Sequence, residues 1–175
     1  NSAVGDAKKE GDYIGPLVEK IQFDRVQAMI KVGIDEGVRL LVGGLGKPDG
    51  FETGWYVKPT IFADATNDKR IAQEEIFGPV LGIMPIKNAE EALRIASDTD
   101  YGLHATVFTQ NIDQALHMAR SLPCGTVSVN GFSEGDIKTP FGGYKQSGSL
   151  ARDNGTEAIE QYLQTKTIWV QTKSG

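Results

Sequence analysis

Apolar positions recur at helical spacing between residues 17 and 36. Ile21, Val26, Met29 and Ile30 fall near one face, which predicts an amphipathic helix. Gly33 and Gly37 weaken its end. The polar stretch 1–16 closes on Ile14-Gly15-Pro16 and reads as a lead-in strand or loop. Arg39 to Val42 is a short apolar strand, and 43–54 is rich in turn residues. Trp55 to Phe62 alternates like a strand, but Pro59 confines it to an edge or irregular position. Pro79 to Ile86 is an apolar run flanked by prolines and predicts a buried strand. Asn88 then caps a helix, with Glu91 as capping-box partner and Ala89, Ala92, Leu93 and Ala96 as its apolar stripe. Ala105 to Thr109 is a β-branched and aromatic strand. Asn111 with Gln114 repeats the capping pattern for a helix that ends near Leu122, before Pro123. Thr126 to Asn130 is the next strand, 131–148 a long Gly-rich loop, 155–163 a helix and Lys166 to Gln171 a final strand.

This alternation of strand and helix with short connections predicts an α/β fold, with a largely parallel open sheet and flanking helices. Ligands of such sheets gather at the carboxyl ends of the strands. Here that means Asn130, the loop 131–148 and the segment around 98–104.

Composition narrows the function classes. The 175 residues suit one domain, with 39% hydrophobic and 23% charged residues, enough apolar surface to fold. The net charge of -5 argues against a nucleic-acid partner, which needs a basic face. No stretch nears the ~20 apolar residues of a membrane span. One cysteine and two histidines exclude a disulfide framework and a Cys-rich zinc site, so no metal is expected. The first residue is Asn and no secretory segment follows, so the chain is expected to be processed or a piece of something larger.

Several motifs have a plain reading and a chemical one. Gly43-Gly44-Leu45-Gly46 follows a strand like a phosphate loop, but Pro48-Asp49-Gly50 is a turn where a helix N-terminus is needed, so it reads as a loop between strands. Cys124 lies after a helix C-terminus, where the dipole opposes a thiolate, and reads as a packed small residue. His117 is read as a surface helix residue, and His104 lies near the expected site without a partner. Glu74-Glu75-Ile76-Phe77-Gly78-Pro79 is either a helix end with a Gly-Pro stop, or a carboxylate for sugar hydroxyls beside a ring for a heterocycle. In 140–148 the paired glycines permit close backbone approach, with Phe141 and Tyr144 as anchors. Glu134 and Asp136, facing a pocket, would favour an amino-bearing substrate.

Glu74 to Val80, then Tyr101-Gly102-Leu103, Gly125-Thr126-Val127 with Val129-Asn130, and Pro140 to Lys145 with Ser147-Gly148 together resemble the C-terminal third of the NAD(P)-dependent aldehyde dehydrogenase superfamily. Ile14-Gly15-Pro16-Leu17 also fits, and the resemblance covers essentially the whole chain. Phe132-Ser133-Glu134-Gly135-Asp136, with Lys166-Thr167-Ile168-Trp169, looks most like the bacterial γ-glutamyl-γ-aminobutyraldehyde dehydrogenase branch. The family departs from this chain at Ser149 to Asp153, where Leu150 and Ala151 stand in place of glycine and would strain any positive-φ turn.

The resemblance implies a mechanism and a division of labour. A cysteine thiolate attacks the aldehyde, hydride leaves to the nicotinamide, and a glutamate activates water to hydrolyse the thioester. Both groups, the oxyanion-hole asparagine and the coenzyme-binding domain belong to the family's region N-terminal to this one. No residue here is therefore expected to be catalytic, and Cys124 matches no catalytic position. Residues 1–164 would be a partial catalytic domain and 165–175 a terminal oligomerisation strand and tail. Glu75 matches the glutamate on the nicotinamide ribose and Phe77 the aromatic beside the nicotinamide. Asn130, Gly131, Phe132, Ser133 and Phe141 match the lining of the aldehyde entrance. NAD or NADP would serve the intact enzyme, with none bound by this fragment, and a small aldehyde would be the substrate. A homo-dimer or tetramer is implied. The alternative is a non-catalytic, self-associating or regulatory module of the same fold.

Overall fold

The computed structural model describes residues 4–11, 13–132 and 136–172. The chain forms two compact units, Asn1–Lys87 and Asn88–Gly175.

The first unit is organised by one helix. α1 spans Lys20–Asp35 and buries Val26, Met29, Ile30 and Gly33, a stripe at i, i+3, i+4 and i+7. Ile21 does not join it and is 73% exposed. It lies five positions before Val26, which turns it about 140° from that residue. The helix runs past Gly33 to Asp35. A Cβ at Gly33 would lie 2.8 Å from Phe62 Cζ, so its bareness lets the helix close on the core. Gly37 (φ 75) ends the helix, donating to the Ile34 carbonyl, while Val38 donates to the Gly33 carbonyl. That pair of bonds is a Schellman cap. It also drives Val38 into the core with Val57, Phe62, Ala65 and Ile71.

β1 (Arg39–Val42) pairs antiparallel with β2 (Thr60–Ala63), and β2 pairs parallel with β3 (Val80–Gly82). β2 is central and nearly buried, with Phe62 and Thr60 among the most enclosed side chains. Trp55–Pro59 lies outside this strand, so the expected strand begins later, past Pro59. The run 79–86 is not the buried strand expected. Its ladder covers three residues at the sheet's edge; Val80 and Met84 face the core, while Leu81 and Ile83 face away and are 56% and 44% exposed. α2 is one turn, Arg70–Gln73. Residues 43–54 join β1 to β2 without a helix, as a connecting loop should.

In the second unit both asparagine caps form. Asn88 accepts from the Glu91 N–H at the start of α3 (Ala89–Ser97). Asn111 accepts from the Asp113 and Gln114 N–H groups at the start of α4 (Ile112–Ser121). β4 is Tyr101–Gly102 and β5 is His104–Val107. β5 and β6 (Thr126–Val129) are parallel, with α4 as the crossover between them. Ala115 and Met118 are buried along α4, and so is its C-cap Leu122. The segment 131–148 is not all loop: β7 (Tyr144–Lys145) pairs antiparallel with β4. The expected helix near 155–163 shrinks to one turn, α5 (Glu157–Glu160). Left-handed strain at Leu150 and Ala151 does not arise; the left-handed residues of this stretch are Asn154 and Gly155. Lys166–Thr172 is exposed and pairs with no strand among the described residues. The fold is α/β with parallel and antiparallel pairs. No described helix is long and apolar enough to cross a membrane.

Burial separates the two isoleucines of α1. Ile30→Ala, at 0% exposure, is expected to lower unfolding free energy by about 2–5 kcal/mol in urea titration. Ile21→Ala should stay within about 0.5 kcal/mol of the unsubstituted chain.

Candidate functional site

The acidic loop after α2 discriminates between its two carboxylates. The Arg70 guanidinium forks onto Glu74 at 2.6 and 3.2 Å. That hydrogen bond lowers the Glu74 carboxyl below its usual range. Glu75 has no side-chain hydrogen bond or ion pair among the described residues, and it is exposed. The next residue, Ile76, packs on the core. Phe77 then turns outward again, 66% exposed, with φ 56. Alternation about the anchored Ile76 thus presents a free carboxylate and a bare ring.

α1 holds this loop from its polar flank. Gln22 Nε2 donates to the Phe77 carbonyl at 2.6 Å, and an Arg25 guanidinium N–H donates to the Glu75 carbonyl at 3.1 Å. The same guanidinium lies 6.0 Å from the Phe77 ring centroid, at cation–π distance. The sequence reading did not single out Gln22 and Arg25. Their only signal is position: both sit beside Val26 at the edge of the helix's buried stripe.

Asn130 ends β6 with φ 55. Its side chain clamps Thr109 from both ends of the amide. Oδ1 accepts from the Thr109 N–H and Nδ2 donates to the Thr109 carbonyl, both at 2.8 Å. Its own N–H donates to the Val107 carbonyl at 2.8 Å. The amide therefore continues the β5–β6 ladder past its last residues, and the left-handed backbone releases the chain into Gly131 and Phe132. A cavity of about 440 Å³ opens here, lined by Phe108, Thr109, Ile112, Val129 and Asn130 among others. It lies at the carboxyl ends of β5 and β6, where a parallel βαβ unit places ligands.

Gly131 and Phe132 are exposed, while Phe141 is half-buried. Phe141 is tied by reciprocal backbone bonds to Asp153 at 2.6 and 2.7 Å. Ser133 and Glu134 lie outside the described residues. His104 is not alone: its Nε2 is 3.0 Å from Ser128 Oγ, and its ring meets Phe132 edge-on. His117 is exposed on α4. Cys124 is half-buried, and burial pushes its thiol above the usual range against the opposing charge of Lys145. Among the described residues no group of three or more His, Cys, Asp or Glu could hold a metal.

The pattern of the Aldehyde dehydrogenase family matches residues 1–168. A Staphylococcus saprophyticus protein carrying an aldehyde dehydrogenase name is 47% identical over 167 residues, 94% of this chain and 34% of that protein. Two solved structures are similar in fold. A cysteine-to-alanine mutant of Pseudomonas syringae aldehyde dehydrogenase C, in complex with NAD+ and octanal, has a TM-score of 0.89 at 44% identity, over 94% of this chain and 33% of that one. Mycobacterium tuberculosis aldehyde dehydrogenase complexed with NAD+ has a TM-score of 0.90 at 40% identity, over 99% and 35%. The chain thus spans about a third of the length of the curated relatives it matches.

The Asn130 clamp should be measurable. Asn130→Ala removes both bonds to Thr109 and leaves a left-handed alanine, which is expected to cost about 1–3 kcal/mol in thermal or urea unfolding. Cys124 should alkylate with iodoacetamide along a pH profile displaced upward from that of free cysteine, because a raised pKa leaves less thiolate at any given pH. A profile displaced downward would contradict the packed-thiol reading.

Proposed function

The chain belongs to the aldehyde dehydrogenase family, and on that premise we propose that it is the part of an NAD(P)-dependent oxidoreductase that walls the cofactor and aldehyde sites. The reaction is oxidation of an aldehyde to a carboxylic acid. The observation that carries this reading is the loop at 74–77. Glu74 is occupied by Arg70, whereas Glu75 offers an unengaged carboxylate beside the exposed Phe77 ring, on backbone pinned by Gln22 and Arg25. That pair of groups fits a nicotinamide riboside: the carboxylate accepts from ribose hydroxyls and the ring packs on the heterocycle. When bound, the nicotinamide supplies the hydride acceptor. NAD+ in the complexes of the P. syringae and M. tuberculosis enzymes supports NAD or NADP as the cofactor.

Asn130, Gly131, Phe132, Ser133 and Phe141 belong to the aldehyde entrance in this reading. Asn130 acts through the Thr109 clamp, which sets where the loop leaves the strand. An aminoaldehyde of the γ-glutamyl-γ-aminobutyraldehyde type is the substrate, supported by the resemblance at 132–136 and 166–169 and by the acidic residues Glu134 and Asp136 in that sequence. The 175 residues are inactive by themselves and hold no cofactor. Cys124, half-buried and with a raised pKa, is unsuited to be the nucleophile. The protein is cytoplasmic.

Lys166–Thr172 supports a homo-dimer or tetramer. Ile168, Trp169 and Val170 are 74%, 92% and 78% exposed, and their backbone has no ladder partner among the described residues. An extended apolar segment of this kind adds readily to a sheet edge of another copy. The same segment favours the second reading, a non-catalytic module that self-associates or regulates a full-length enzyme.

Three experiments separate these readings. In the intact enzyme, Glu75→Gln should lower turnover about tenfold to a hundredfold, with the unfolding midpoint unchanged. Unchanged turnover and cofactor affinity reject the role given to Glu75. The purified chain should show no aldehyde-dependent NADH absorbance. Activity that survives Cys124→Ala overturns the inactive-fragment reading. Light scattering that finds a strict monomer, with or without full-length enzyme, removes the module reading.

A further inference from the structure

β5 and β6 do not bury both faces alike. In their register His104 pairs with Thr126 and Thr106 with Ser128, so these four side chains share one face. Ala105, Val107, Val127 and Val129 share the other. Val129 lines the cavity with Ile112 and Ala115 of α4, so the apolar face is the one the helix covers. The opposite face is polar, and on it stand an imidazole and a hydroxyl 3.0 Å apart.

By itself this His–Ser bond is ordinary sheet decoration. The third member changes its meaning. Past the left-handed Asn130 the chain brings the Phe132 ring back to His104, with centroids 5.3 Å apart and planes at 82°. This is the edge-to-face arrangement that aromatic quadrupoles favour. Phe132 is 73% exposed, and the imidazole is the only ring in contact with it among the described residues. The Ser128 hydroxyl gives the imidazole a hydrogen-bond partner, and the imidazole gives the Phe132 ring an edge-on neighbour.

We propose that His104, oriented by Ser128, is a positioning residue that holds the Phe132 ring at the aldehyde entrance and so sets how tightly the aldehyde is gripped. The proposal rests on the reading of Phe132 as part of that entrance. It assigns neither His104 nor Ser128 a role in bond making. Loss of the contact frees the Phe132 side chain to sample other rotamers, and the entrance loses a preorganised wall.

The chain has two histidines, His104 and His117, and His117 is exposed on α4, so it serves as an internal reference. In NMR spectra of the chain, Phe132→Leu should move the ring-proton resonances of His104 and leave those of His117 in place. Ser128→Ala should also move the His104 resonances, and Ser128→Thr, which keeps the hydroxyl, should restore them. Unmoved His104 resonances in Phe132→Leu overturn the contact. In the intact enzyme, His104→Ala should raise the aldehyde KM about threefold to tenfold, while kcat and the cofactor KM change by less than about twofold. If Phe132→Ala raises the aldehyde KM and His104→Ala does not, the positioning role is wrong and the entrance reading survives. If Phe132→Ala leaves the aldehyde KM unchanged, the entrance reading itself fails, and with it the function given to His104.

Discussion

A left-handed backbone at a residue that carries a side chain is the constraint on which the candidate loop of each unit depends. Phe77 (φ 56) and Asn130 (φ 55) each turn the chain outward at the end of a packed element. Each such residue costs on the order of 1–3 kcal/mol and persists only where its surroundings over-determine it. At Phe77 the surroundings are the Gln22 and Arg25 side chains and the core contacts of Ile76. At Asn130 they are two amide bonds to Thr109 and a ladder bond to Val107. Asparagine tolerates this region; phenylalanine does so poorly, and accordingly the external bonds at Phe77 come from another element altogether.

The same economy governs the charges. Two adjacent glutamates would compete for the cations near them, but Arg70 is claimed by Glu74, and Arg25 spends its hydrogen bond on the backbone of Glu75 rather than on its carboxylate. The free carboxylate is thus a product of its neighbours' pairing. On the second unit Lys145 is likewise committed, with Nζ donating to the carbonyls of Ser97 and Thr99 just past α3. It caps that helix end and draws β7 against β4. Its charge reaches Cys124 only weakly, and burial prevails there.

Local chemistry was legible wherever a residue acts on its own chain neighbours. The caps at Asn88 and Asn111 and the stop before Pro123 all involve partners within four residues. The loop at 43–54 was legible for the same reason: a turn stands where a phosphate site needs a helix. Errors cluster where burial depends on distant segments. Ile21 matched the apolar composition of its helix but not the angle of the stripe. The run 79–86 looked buried by composition, yet only alternate residues face the core. The packing reason for Gly33 was also out of sight, because the ring of Phe62 lies 29 residues away in the sequence.

For the candidate site the division is similar. Motif order named Glu75, Phe77 and Phe141 through family resemblance, and strand topology named Asn130 and its loop. Gln22, Arg25, Thr109 and Ser128 were named by neither, because each acts across a gap in sequence that only packing closes. Sequence by itself determined the α/β class, the caps, the family and the identity of the groups that could meet a ligand, since these follow from residue type and short-range spacing. Tertiary structure alone decided which of two adjacent carboxylates is free, that the Asn130 amide is spent on Thr109, and that His104 faces Phe132. Each of those is a competition between partners for one hydrogen bond or one surface, and its outcome depends on distances that only the folded chain defines.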